Sequence, residues 1–151
     1  MKKLYVLLIT TFWKQNSYHQ HGVILHTLRV TWNLLKHGHY KMIPAGLLHD
    51  LGKPGSAHQK PEDIISNEYS FTDHEEKSYQ IIENWFFVSD YTKNLVRWHY
   101  LIRRINKAKE KGLSEYQPLK DTFDGFSDEF KKDLRIFLKC DDLGKGKRKN
   151  K

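Results

Sequence analysis

Imidazoles and carboxylates recur along this 151-residue chain in a pattern that suits metal chemistry: His26, the adjacent pair His49 and Asp50, then His74, His99 and Asp141. A lone histidine on an amphipathic helix is an ordinary core or surface residue. Several that converge with carboxylates form a ligand set, because neutral imidazole nitrogen and carboxylate oxygen suit Mn, Fe, Co, Ni or Zn and, where nitrogens are few, Mg. His49 and Asp50 follow the apolar run Ala45-Gly46-Leu47-Leu48. Burying two such polar groups is costly unless something compensates them, as a divalent ion would.

Helices must position these residues. Over 21–38 the apolar residues Val23, Leu25, Leu28, Val30, Leu34 and Leu35 follow helical spacing, and Gly38 is a stop. The stretch KMIPAGLLHDLGKPG has Pro44 near its start and Gly52, Pro54 and Gly55 at its end, a short buried helix with the His-Asp pair at its C-terminal end. Residues 56–72 read as a surface loop with about one helical turn, of a length that often serves as a lid. A helix over 73–87, capped by Thr72 or Asp73, has the apolar face Tyr79, Ile82, Trp85 and Phe86. Another over 91–109 carries Leu95, Val96, Trp98, His99 and Ile102; 112–128 reads as a long connection; and 129–142 forms the last helix, with Phe130, Leu134, Phe137 and Leu138 inward. Trp13, Trp32, Trp85 and Trp98 fit core packing better than base stacking.

The length and the 38% hydrophobic content suit a single domain that buries its own core. The single cysteine, Cys140, excludes an internal disulfide and fits a reducing, cytoplasmic setting. The start, MKKLYVLLITTFW, imitates a signal peptide but lacks a small-x-small cleavage site and falls short of the roughly 20 residues of a membrane span, so it reads as a first core element and no membrane association is expected. Five of the eight net positive charges fall in 145–151, a stretch without apolar anchors. The expected organisation is a folded domain over 1–144 and a disordered basic tail over 145–151, which could add weak contact with nucleic-acid phosphates.

The segments HTLRV at 26–30, LLHDLGKP at 47–54, DHEEKS at 73–78, VRWH at 96–99 and CDDLGK at 140–145 resemble the HD superfamily of metal-dependent phosphohydrolases. Their wording is similar to the HD domain of bacterial tRNA nucleotidyltransferases and to small stand-alone HD hydrolases. The resemblance spans residues 19–145, and LLHDLGKP is its most specific piece.

That resemblance implies an all-α fold, a single HD-type helical bundle, with one divalent metal (Mn, Co, Ni, Mg or Fe) held by His26, His49, Asp50 and Asp141. Two-metal members add histidines where His74 and His99 stand; the alternative is that these two contact the substrate phosphate. Asp141 rather than Asp142 is the implied ligand, because Cys140-Asp141 matches the usual Ala-Asp; Asp142 is then exposed or a cap. Lys53 and Arg29 lie about one turn from ligands and could hold a phosphate. His19, His21, His37, His39 and His58 have no matched place in the pattern.

The implied reaction is hydrolysis of a phosphomonoester or phosphodiester in a nucleotide or cyclic nucleotide, by hydroxide generated from a water of lowered pKa. Asp50 or Glu75 would accept a proton, and Lys53, Arg29 or His99 would offset charge. A small-molecule nucleotide is the expected partner, and no oligomeric state follows. Two rivals use the same scaffold: a di-iron HD oxygenase, which needs His74 and His99 as ligands, and a non-catalytic nucleotide- or RNA-binding module.

Overall fold

In the computed structural model of the chain, the described residues are 11, 12, 15, 16, 19 and 21–146. The first core element expected over 1–13, including Trp13, lies almost wholly outside them, as do tail residues 147–151.

The first helix, α1, spans Val23–Lys36 and buries Val23, His26, Val30 and Leu34. That spacing makes one helical stripe, and His26 occupies a core position within it. Leu25, Leu28 and Leu35, expected inward, face solvent, as does Trp32 at 61% exposure. Gly38 ends the helix with φ +76°, a left-handed conformation that side chains rarely adopt.

After a 3-10 turn at Tyr40–Met42, α2 (Ile43–Leu48) starts with Pro44 in its first turn and delivers His49 as its C-cap. The short α3 (Lys53–Ser56) follows the His-Asp turn. The segment 56–72, expected as loop, holds more structure: strand β1 (Ala57–His58), helix α4 (Pro61–Ser66) and strand β2 (Ser70–Phe71), with Ala57 opposite Phe71 and His58 opposite Ser70. Helix α5 (His74–Ile82) is shorter than the expected 73–87, and Phe86, expected inward, is 96% exposed.

The helix expected over 91–109 is two, α6 (Asp90–Trp98) and α7 (Leu101–Glu110), with His99 at the break. His99 Nδ1 donates to the Val96 carbonyl at 2.6 Å. An unbroken helix would offer that acceptor to the Tyr100 amide. The expected connection over 112–128 contains α8 (Tyr116–Asp124). The last helix, α9, spans Asp128–Gly144, and Ser127 Oγ accepts from the Phe130 amide at 3.2 Å to cap it.

Helix α9 lies along α1, and α2 packs on both α1 and α6. The core between them contains Leu34, Ile82, Leu95, Leu134 and Phe137, all fully buried; each contributes on the order of 1.5–3 kcal/mol of hydrophobic stabilisation. The described chain is all-helical apart from the two short strands.

Two glycines set close approaches beside the ligand candidates. A Cβ on Gly144 would lie 2.5 Å from Val30 Cγ2 and 3.3 Å from His26 Cε1, so α9 can come close enough to set Asp141 against His26. At Gly52 a Cβ would lie 2.5 Å from the His74 carbonyl oxygen and 2.6 Å from the Ser78 nitrogen. The Gly52 amide instead donates to Ser78 Oγ at 2.9 Å, pinning the His-Asp turn to α5.

Candidate metal centre

The six candidate ligands come from five places in the fold: α1 (His26), the end of α2 (His49, Asp50), the start of α5 (His74), the break after α6 (His99) and the end of α9 (Asp141). All six are buried. Their donor atoms fall into two groups, His26 with His49 and Asp141, and Asp50 with His74 and His99; within each, one donor atom per residue lies within 4.8 Å of the others.

Three of the imidazoles are oriented the same way. His49, His74 and His99 each place Nδ1 on the backbone carbonyl three residues earlier: Gly46 at 2.9 Å, Phe71 at 2.9 Å and Val96 at 2.6 Å. A carbonyl only accepts, so Nδ1 carries the proton and Nε2 keeps its lone pair. This is how backbone acceptors prepare metal-ligating histidines. His26 Nε2 sits 2.9 Å from Asp141 Oδ1, and its Nδ1 is buried without a partner.

Asp50 lies between the two groups. Its Oδ2 is 3.2 Å from His49 Nε2 and 3.4 Å from His26 Nε2, while its Oδ1 is 3.6 Å from His74 Nε2. Both oxygens are buried and accept no well-directed hydrogen bond. Lys53 Nζ, 2.8 Å from Oδ2, supplies a positive charge.

Burial raises a carboxyl pKa, but the His49 and Lys53 charges outweigh it and hold Asp50 well below the usual range. Asp141 is likewise held well below against its burial, by its hydrogen bond to His26 and the charges of His26 and Arg103. Burial pulls His26 down, His74 to about 4, and His99 well below the ordinary value. Burial also opposes charge on His49, but the Asp50 carboxylate beside it raises that group. Buried ionised carboxylates set among imidazoles, of which His26, His74 and His99 are held neutral by burial, with neither Asp50 oxygen accepting a well-directed hydrogen bond, are the donor set that a divalent cation requires. The residues fit the ion.

A cavity of about 580 Å³ is lined by Asp50, His74 and His99 of one group and by Asp141 of the other. Of the other sequence candidates, Lys53 and Glu75 line it, whereas Arg29 does not. Arg29 is exposed, one turn beyond Leu25 on the outward side of α1. Glu75 is raised by burial, with its Oε1 3.6 Å from Arg104.

Sequence reasoning passed over Arg103, which donates to Asp141 Oδ2 at 2.5 Å and to Asp142 Oδ1 at 3.0 Å. It also set Lys145 at the start of the tail. Lys145 lines the cavity, 3.9 Å from Asp141 and 3.0 Å from exposed Asp142. Both were within reach of helical periodicity: Arg103 lies one turn after His99, and Lys145 one turn after Asp141. His19, also in the cavity wall, had no such signal, because it lies outside the regular helices.

A family model described as HD domain matches residues 23–132, well over half of the chain. The chain belongs to the HD domain family. The matched span contains His26, the His49-Asp50 pair, His74 and His99; Asp141 lies beyond it and is brought in by α9. HD domains form a superfamily of metal-dependent hydrolases, in keeping with the two ligand groups found here. Comparison with curated proteins and with solved structures gives no match. Among the described residues no helix is long and apolar enough to cross a membrane.

Proposed function

We propose that this HD domain is a phosphohydrolase that cleaves a phosphoester of a nucleotide and works with two divalent ions, one at His26, His49 and Asp141 and one at His74 and His99, with Asp50 shared between them. The observation that carries the reading is Asp50: Oδ2 faces His26 and His49, Oδ1 faces His74, and neither buried oxygen accepts a well-directed hydrogen bond. Lys53, 2.8 Å from Oδ2, offsets part of the cost of burying this carboxylate; divalent cations held by the neighbouring imidazoles would offset the rest. The alternative for His74 and His99, contact with the substrate phosphate, is less favoured, because both turn a bare Nε2 lone pair inward, which would face phosphate oxygens without a proton to share.

Bound divalent ions supply a water of lowered pKa and polarise a phosphoryl oxygen. The chain does the rest. Lys53, buried and beside Asp50, keeps that carboxylate ionised and sets a positive charge where phosphoryl oxygens gain negative charge. Arg103 holds Asp141 in place through its guanidinium. Glu75, its pKa raised by burial, is a group that can hold and return a proton at the cavity edge.

A nucleotide is favoured because the cavity falls in the size range of small-ligand sites. Aromatic Phe71 and Tyr100 stand in the same wall as the cations Lys60, Arg104 and Lys107, surfaces suited to a base and to phosphate. Release of phosphate or nucleoside from a panel of nucleotides and cyclic nucleotides tests this, using metal-stripped protein refilled with Mn, Co, Ni or Mg beside Asp50→Ala. Metal-dependent release that the variant lacks is expected; equal release by the variant would end the reading.

The paired ligand groups also favour a second reading, a di-iron oxygenase. Tight iron binding with a visible absorption band, and no phosphate release with any metal, would select it.

A further inference from the structure

One imidazole in the cavity wall stands outside both ligand groups. His19 is 9% exposed and lines the cavity together with Asp50, Lys53 and Asp141. Its ring stands edge-on to His26, with centroids 4.9 Å apart. A short chain of hydrogen bonds fixes its orientation. Asn16 Nδ2 donates to the Tyr69 carbonyl at 3.2 Å, which turns Asn16 Oδ1 towards His19 Nδ1 at 3.0 Å. An amide oxygen only accepts, so the Nδ1 proton is committed and Nε2 keeps a lone pair. Backbone bonds hold Gln15 and His19 as well: the Tyr69 amide donates to the Gln15 carbonyl at 3.0 Å and the His19 amide to the Asn16 carbonyl at 3.1 Å. Among the described residues Nε2 has no hydrogen-bond partner.

The neighbouring polar groups deeper in the cavity are ligand candidates or cations, suited to metal ions and phosphoryl oxygens. An oriented acceptor one ring away from them, without a hydrogen-bond partner among the described residues, suits a donor carried by the ligand itself. We propose that His19 accepts a hydrogen bond from a substrate hydroxyl close to the scissile phosphoryl group, so that the site selects a sugar phosphate over an otherwise equal phosphoester lacking that hydroxyl. The proposal rests on the phosphohydrolase reading and adds a determinant from outside the span that the family model matches.

The test compares kcat/KM for ribonucleoside monophosphates and their 2′- and 3′-deoxy counterparts in the wild-type protein, His19→Ala and His19→Gln, with bound metal counted in each. The wild type should prefer one hydroxylated substrate by about tenfold, the value of one hydrogen bond of this kind. His19→Ala should erase the preference at wild-type metal content, and His19→Gln, which keeps an acceptor, should restore part of it. A wild type that treats all three sugars alike overturns the proposal, and this result does not depend on either variant folding. So does a preference that survives in His19→Ala, or a His19→Ala protein that has lost metal, which would make the residue a ligand. If the wild type hydrolyses no phosphoester with any metal, the reading beneath the proposal fails instead.

Discussion

The two ligand groups are built differently. In the group of His26, His49 and Asp141, the side chains already satisfy one another: His26 and Asp141 are 2.9 Å apart, and His49 Nε2 is 3.4 Å from His26 Nε2. In the group of Asp50, His74 and His99, the shortest such approach is the 3.6 Å between His74 and Asp50, and both imidazoles are fastened from behind by backbone carbonyls. The first group is collapsed on itself; the second is held open. An ion entering the first must separate a hydrogen-bonded pair, whereas the second is ready to receive one. Placement explains the difference: His26 and Asp141 face each other across the α1–α9 contact, while His74 has the Phe71 carbonyl of β2 behind it and His99 the Val96 carbonyl near the C-terminal end of α6.

The harshest way to break this comparison is to remove the residue the groups share. Asp50→Ala should abolish metal-dependent hydrolysis, a loss on the order of 10⁴-fold, and should lower the count of bound ions in both groups. His74→Ala should be more selective, removing one ion and leaving the other measurable by metal analysis, with activity down by roughly 10²-fold or more. If it removed both ions or neither, the two groups would not be separate. Arg103→Ala touches only the first group, where it supports Asp141 from behind. Loss of such a support should weaken binding of one ion by about 10–100-fold and leave the other unchanged in a metal titration.

Acid should reveal the metal-free protein. His74 is held at about 4 against an ordinary 6.5, so the fold keeps it neutral where the unfolded chain would protonate it. It costs the fold nothing above about pH 6.5 and destabilises it progressively as pH falls towards 4; at roughly 1.4 kcal/mol per pKa unit this amounts to about 3 kcal/mol. His26 and His99 shift in the same direction, and His49, raised by Asp50, works against them. The melting temperature of stripped protein should therefore fall between pH 6.5 and 4, and added metal should reduce the fall near pH 6.5. A flat profile would mean that these imidazoles are not buried neutral. The smallest effect is expected at Gly144→Ala. Its new methyl would meet Val30 and His26, at a cost of about 1–3 kcal/mol seen in thermal melts.

The candidate ligands could be named from the sequence because their motifs resemble those of the HD superfamily, and LLHDLGKP carries its own reason: Gly52 permits the backbone approach to Ser78, and the apolar run before His49 leads into a buried helix end. What escaped reading came partly from local competition for backbone groups and partly from contacts distant in sequence. The break at His99 comes from a side chain that takes a helix carbonyl, and periodicity does not register that. Helix α8 contains no fully buried residue and carries Pro118 in its first turn, where proline is tolerated, so its sequence looks like a connection. The outward turn of Leu25, Leu28 and Arg29 depends on which side of α1 meets α9, a choice that several apolar residues around one helix leave open. His19 owes its place to Asn16 and Tyr69, the latter 50 residues further along the chain.

The most direct test of a two-ion phosphohydrolase is to titrate metal-stripped protein with Mn while recording phosphate or nucleoside release from the best nucleotide of the panel. A two-ion phosphohydrolase should show little turnover through the first equivalent and a steep rise through the second, with none in Asp50→Ala. Full activity at one equivalent, or no activity at any, would contradict it.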